Sequence, residues 1–154
     1  PNRHYFYEEI INIFKNKQYR HNSALIFIDN NKFKIINDQY GHLAGDAVLR
    51  EMASLLMLSV RQEDFIARLG GDEFAIILHT IHHADHLQAI AESLLASCKE
   101  PLDFNGQLIH FSFSLGIAFS QFADNPDDLV MQADQAMYKA KNLNPHWFLY
   151  KPEI

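Results

Sequence analysis

The chain has 154 residues, 48% of them hydrophobic and 21% charged, with a formal net charge of −6. That is enough for one domain with a buried core and too apolar for intrinsic disorder. The negative balance argues against a broad nucleic-acid-binding surface, which needs a positive field, but it leaves room for a small anionic ligand carried on a divalent cation.

The longest uncharged apolar runs, such as residues 24–28, are far too short to cross a bilayer, so no membrane contact is expected of this stretch. Pro1-Asn2-Arg3-His4-Tyr5 has no charged segment leading into an apolar one, so no signal peptide is visible in this stretch. Cys98 stands alone and allows no internal disulfide, which fits a cytoplasmic, reducing compartment. The start at Pro1 suggests a piece of a larger multidomain protein.

In chain order, Phe6, Ile10, Ile11, Ile13 and Phe14 recur at roughly helical spacing and predict a helix over 5–17. Residues 24–28 are an apolar run of strand formers ending at Asp29-Asn30-Asn31, which predicts a buried central strand. Two helices follow, near 32–39 and 44–60, with Gly41 ending the first. Residues 65–69 and 74–78 flank Gly70-Gly71-Asp72-Glu73 as the arms of a hairpin, since glycine supplies the positive φ of a tight turn.

Leu87, Ile90, Ala91, Leu94, Leu95 and Cys98 mark the buried face of a helix over 84–98. Asn105-Gly106 signals a hairpin turn before a long strand over 108–119. Asn125 as cap, Pro126 at the first helical position and Asp127 and Asp128 at the positive end of the dipole open the last helix. Lys139 and Lys141 lie in its last turns, Pro145 stops it, and a strand over 146–150 closes the chain. The order α-β-αα-β-β-α-ββ-α-β predicts one α+β domain over 1–154, a central mixed sheet flanked by helices.

Asp29 sits where the chain leaves a buried strand, a place where such folds commonly bind ligands. Asp72 and Glu73 lie at the tip of the hairpin. If the two strands are neighbours, three carboxylates converge on one sheet edge, an arrangement that is costly unless a cation neutralises it; oxygen ligands favour Mg²⁺. The plainer alternative is a polar turn. His79, His82, His83 and His86 have the spacing of a zinc stripe if helical, but His79 reads as the end of a strand, no carboxylate or cysteine completes a closed set, and a solvated loop is the better account.

Gly70-Gly71-Asp72-Glu73-Phe74 occurs together with Asp29, Phe33-Lys34, Asn37-Asp38, Gly41-His42 and Gly45-Asp46. Further along come Ser114-Leu115-Gly116-Ile117-Ala118 and Ala133-Asp134-Gln135-Ala136-Met137-Tyr138-Lys139-Ala140-Lys141, with Pro1-Asn2-Arg3 at the start. In this register the chain resembles the GGDEF family of diguanylate cyclases over essentially its whole length. The resemblance implies a nucleotidyl cyclase (ferredoxin-like, palm) fold and the condensation of two GTP into cyclic di-GMP and pyrophosphate by a head-to-head homodimer.

By the same resemblance, Asp29, the Asn30 carbonyl, Asp72 and Glu73 would hold Mg²⁺ or Mn²⁺, with Asp72, Glu73 and Asp29 catalytic and Glu73 able to help deprotonate the attacking 3′-hydroxyl. Asn37 and Asp46 would read guanine: a carboxylate accepts from N1–H and the exocyclic amine together, a pattern adenine lacks. Lys34 and Lys141 would meet phosphate oxygens, and Phe33 and His42 would complete the substrate site. Arg61-x-x-Asp64 has the spacing of an inhibitory site for the product, the arginine forking onto phosphate or a guanine edge and the aspartate accepting from guanine N–H groups. The resemblance also implies a fused upstream sensor and a downstream EAL phosphodiesterase domain, suggested by the exit over 148–154.

Two departures stand out. Asn31 replaces the second aspartate of the usual Asp-x-Asp, removing a charge beside the metal site, and Asn144-Pro145 replaces the usual Gly-Arg, removing a phosphate contact worth about 1.5–3 kcal/mol. Asn144 is suited to the left-handed cap that glycine usually takes. The alternative function is therefore a catalytically impaired domain that senses GTP or cyclic di-GMP for a neighbour.

Overall fold

Strand β1 (Ala24–Asn30) is the centre of the molecule, and its composition follows from being covered on both faces. Ala24, Ile26 and Ile28 enter one core, whereas Leu25 and Phe27 enter a second core on the opposite face. The computed structural model describes residues 3–151, so Pro1 and Asn2 of the opening motif and Pro152, Glu153 and Ile154 of the exit lie outside the described residues.

The second core is closed by α1 (Arg3–Lys15) and by α5 (Pro126–Ala140), the last helix, through Phe6, Ile10, Ile13, Leu129 and Ala133. The first is closed by α2 (Phe33–Tyr40), α3 (His42–Ser59) and α4 (Ala84–Ala96), with Val48, Met52, Leu56, Leu87 and Leu94 fully buried or nearly so. Between these layers runs a five-stranded sheet in the order β2-β3-β1-β6-β7, formed by β2 (Phe65–Gly70), β3 (Glu73–Leu78), β1, β6 (Phe113–Phe119) and β7 (Trp147–Leu149). β1 is antiparallel to both neighbours and β6–β7 is parallel, so the expected α+β class with a central mixed sheet holds.

The strand expected over 108–119 is two strands. β4 (Leu102–Phe104) and β5 (Gln107–Ile109) make their own two-stranded sheet, turned by Asn105 and Gly106, both at positive φ (50° and 87°). The chain then crosses over 110–112 into β6. Phe111 stays buried through the crossing, so the apolar pattern carries no sign of the break.

α5 ends at Ala140 with Lys141 as its right-handed cap. Asn144 is not among the residues at positive φ, contrary to the expected left-handed cap. The final carbonyls are instead met by tight i→i+3 bonds, from Asn142 N–H to Lys139 and from Leu143 N–H to Ala140. α5 also lies directly on β6: a Cβ on Gly116 would stand 2.2 Å from Met137 N and 2.6 Å from the Ala133 carbonyl.

Candidate functional site

The end of β1 and the hairpin tip bring the acidic residues together. Asp29 lies in register between Glu73 of β3 and Ser114 of β6. Gly71 turns the tip at φ 49°, and the Arg68 Nε–H donates to its carbonyl at 2.9 Å, which steadies Asp72 beside Asp29. The Asp72 carboxyl has its pKa raised to about 6, by burial first and then by its hydrogen-bonding approach to Asp29 and the Asp29 charge, with its own backbone pulling the other way.

Asp29 is mostly covered. Its Oδ2 takes the Lys141 ammonium at 2.5 Å, while Oδ1 is buried with no hydrogen-bond partner. An orphaned carboxylate oxygen next to a carboxyl that resists ionisation is the chemistry a hard divalent cation relieves, so the donor set fits Mg²⁺ or Mn²⁺. Asn30 turns its side chain away, its Nδ2 donating to Met52 Sδ at 3.2 Å, and any part it takes in the site falls to its main chain.

Glu73 is exposed, and together with Asp29 it lines a cavity of about 280 Å³ bounded by Arg3, Tyr7, Asp134 and Met137. Among the described residues no three His, Cys, Asp or Glu side chains close on a common point. The three-carboxylate convergence expected from the sequence is therefore only partial here: like charges repel, and Lys141 rather than a third carboxylate completes the surroundings of Asp29.

The guanine-reading candidates sit on the α2–α3 corner. Gly41, at φ 93°, separates the two helices and donates its N–H to the Asn37 carbonyl at 2.8 Å. Gly45 leaves room there for the Asn37 and Phe33 side chains, because a Cβ would fall 1.8 Å from Asn37 Oδ1 and 3.3 Å from the Phe33 ring. Asp46 is exposed and lines a second cavity of about 290 Å³ with Arg50, Arg68 and Phe74. Lys34 is exposed in the first turn of α2, whose start at Lys32 has no side-chain cap, so early N–H groups there remain available to an anion. His42 is exposed at the start of α3.

Arg61 and Asp64 do meet, but as a closed clasp. Asp64 Oδ2 accepts from Arg61 N–H at 2.9 Å and Nε at 3.2 Å, and Oδ1 accepts from Arg61 Nη2 at 3.4 Å and from His79 N–H at 3.2 Å. Arg61 Nη2 also donates to the His79 carbonyl at 2.6 Å. The Asp64 side chain is 1% exposed and that of Arg61 50%, so only the arginine faces solvent in this state. Its guanidinium is held above its usual pKa chiefly by the hydrogen bond to Asp64.

His79 departs from the solvated-loop reading. It is buried, its Nδ1 is 3.1 Å from Ser23 Oγ, its Nε2 is 3.7 Å from Glu9 Oε2, and its ring stacks on Tyr19 at 4.1 Å. His82, His83 and His86 are exposed as expected. Sequence reasoning also missed Ser112 and Ser114 as partners of Asn31; their only signal was the polar alternation at the head of an otherwise apolar run.

Residues 1–145 match the family model described as "Diguanylate cyclase, GGDEF domain". Diguanylate cyclase TpbB of Pseudomonas aeruginosa is 38% identical over 144 residues, which is 92% of this chain and 33% of TpbB; the chain thus spans about a third of that relative. The crystal structure of the GGDEF domain of PA1120 (YfiN or TpbB) from the same organism superposes with a TM-score of 0.90 at 35% identity, covering 99% of this chain and 98% of that one. The coiled coil and GGDEF domain of DgcB from Caulobacter crescentus, solved in complex with c-di-GMP, gives 0.81 at 26% identity over 91% of this chain and 75% of that one. The chain therefore belongs to the GGDEF family of diguanylate cyclase domains.

Proposed function

We propose that this domain condenses two GTP molecules into cyclic di-GMP, two copies meeting face to face with one nucleotide each. The observation that carries the reading is the unpartnered, buried Asp29 Oδ1, in register with Glu73 and beside Asp72, whose pKa is raised to about 6. Asp29, Asp72, Glu73 and the Asn30 main-chain carbonyl would hold Mg²⁺ or Mn²⁺. When bound, the cation draws charge from the α-phosphate and stabilises the departing pyrophosphate.

Asp46 accepts from guanine N1–H and the exocyclic amine, and Asn37, placed by Gly45, supplies the second polar contact, with Phe33 and His42 bordering the base. Lys34 and the open start of α2 take phosphate oxygens. Lys141 exchanges Asp29 for phosphate as the nucleotide enters, which keeps the site charge-balanced in both states. Glu73 accepts the proton of the 3′-hydroxyl as that oxygen bonds to the α-phosphorus of the other GTP; the bond to the bridging oxygen breaks and pyrophosphate leaves. A second such step closes the ring.

For product inhibition, the Arg61–Asp64 clasp must open so that Asp64 can face guanine. The structures of relatives bound to c-di-GMP support ligand binding by this family. No helix among the described residues is long and apolar enough to cross a membrane; a cytoplasmic setting, a fused sensor upstream and an EAL domain downstream complete the proposal. A second reading, a GTP or cyclic di-GMP sensor without turnover, is favoured by the Lys141–Asp29 pairing and the open carboxylate arrangement. A leucine-zipper fusion that forces pairing, incubated with Mg²⁺ and GTP, separates the two: cyclic di-GMP is expected, and Asp72→Ala abolishes it. A forced dimer that binds GTP but yields no product leaves the sensor reading standing.

A further inference from the structure

We infer that Asn31 is a positioning residue that locks the metal-binding end of β1 to β6, so that its amide serves the site without contributing a charge to it. The inference rests on the proposed GTP site. Asn31 makes three bonds to one stretch of β6 and its approach: backbone N–H to the Ser112 carbonyl at 2.9 Å, Nδ2 to Ser112 Oγ at 2.8 Å, and Oδ1 from Ser114 Oγ at 2.5 Å. Both ends of the amide are thus engaged away from the carboxylates. Ser114 is itself the cross-strand partner of Asp29, so the clamp is anchored at the level of the candidate ligand.

The residue after Asn31 shows why a clamp is needed. Lys32 sits at φ 60°, ψ 37°, a left-handed conformation that side-chain-bearing residues disfavour, and it opens α2 with no side-chain cap. The chain must leave the sheet, reverse its local hand and start a helix within three residues, with Asp29 on one side and the open N–H groups of α2 on the other. Pinning Asn31 by main chain and side chain together sets the distance between the cation ligands and the phosphate-facing end of α2. A carboxylate at position 31 can accept from the same two serine hydroxyls, so the clamp, rather than the charge, is the property that the two residue types share.

The test is Mn²⁺ binding followed by electron paramagnetic resonance, with and without GTP, on the unlinked domain, where turnover is not part of the readout. Asn31→Ala is expected to weaken Mn²⁺-GTP binding about tenfold, the usual scale for an outer-shell partner, while Asn31→Asp restores binding to within about twofold of the parent. The Ser112→Ala, Ser114→Ala double variant keeps Asn31 but removes both side-chain partners, and is expected to show the same loss even if Asn31→Ala fails to fold. Parent-like binding by Asn31→Ala or by the double-serine variant overturns the inference. So does Mn²⁺ binding by Asn31→Asp about tenfold tighter than the parent, which would make residue 31 a missing ligand. Failure of the parent itself to bind Mn²⁺-GTP refutes instead the functional reading beneath it.

Discussion

Buried at the end of β3, His79 touches Glu9 of α1, Ser23 and Tyr19 ahead of β1, and through its backbone both halves of the Arg61–Asp64 clasp. Burial lowers its pKa; the charges of Glu9 and Asp64 and the hydrogen bond to Glu9 oppose that, and Arg61 adds to it. In the unfolded chain a histidine titrates near 6.5, as model peptides do. Above that pH the ring is neutral in both states, and stability is at its full value. As pH falls below about 6.5 the unfolded chain takes up a proton that the folded chain refuses, so stability drops until the lower folded pKa is passed. Urea midpoints measured from pH 7.5 to 5 should therefore fall more steeply for the parent than for His79→Gln; parallel curves would remove the histidine from the account. This role was hidden in the sequence, where His79 reads only as the end of a strand at the head of four spaced histidines. Its partners Glu9 and Ser23 are 70 and 56 residues away along the chain, and only the fold brings them to it. Asp29, Asp72, Asn37 and Asp46 were legible because a family register marks each of them; the closure of Asp64 was not, since spacing says nothing about which way a carboxylate faces.

Between elements, two glycines sit where an added Cβ would meet a neighbour, main chain at one and side chain at the other. At Gly116 the obstruction is the main chain of α5, which cannot step aside without lifting Ala133 and Met137 off the sheet. Gly116→Ala should cost about 1–3 kcal/mol, the range for overpacking a well-filled core, measured as a shift in denaturant midpoint at unchanged m. At Gly45 the obstruction is the Asn37 side chain, which can rotate away. Gly45→Ala should therefore leave stability nearly intact and weaken GTP binding about tenfold, with the preference over ATP narrowed, as calorimetric titration of both nucleotides would show. Equal losses of stability and affinity would instead mean that α2 and α3 move as one. Element order, the central strand and the α5 cap at Asn125 were readable from local signals, and the Asn125 side chain does accept from Asp128 N–H at 2.8 Å. The division of 108–119 was not, because Phe111 and Phe113 pack into the same core on either side of the crossing.

At the scale of the whole molecule, one copy carries one candidate site, and the proposed reaction needs two nucleotides pointed at each other. Two copies must meet while each bears a formal charge of −6, so their encounter is opposed by long-range repulsion that salt screens over about 8–10 Å at ordinary ionic strength. For the unlinked domain, initial rate per milligram should thus rise in proportion to protein concentration at the low end, and at fixed concentration it should rise again as sodium chloride is raised from about 20 to 150 mM, a span over which the screening length falls by a little under about threefold. A zipper-linked pair has its partner supplied at high effective concentration and should lose both dependences while turning over faster per site. Salt also weakens the contacts of Lys34 and Lys141 with phosphate, so the linked pair serves as the control: any decline it shows with salt is the binding effect alone, and the difference between the two proteins isolates the encounter. A rate per milligram that stays constant across a hundredfold dilution of the unlinked domain would mean that a single copy completes the chemistry, and the two-site mechanism would have to be given up.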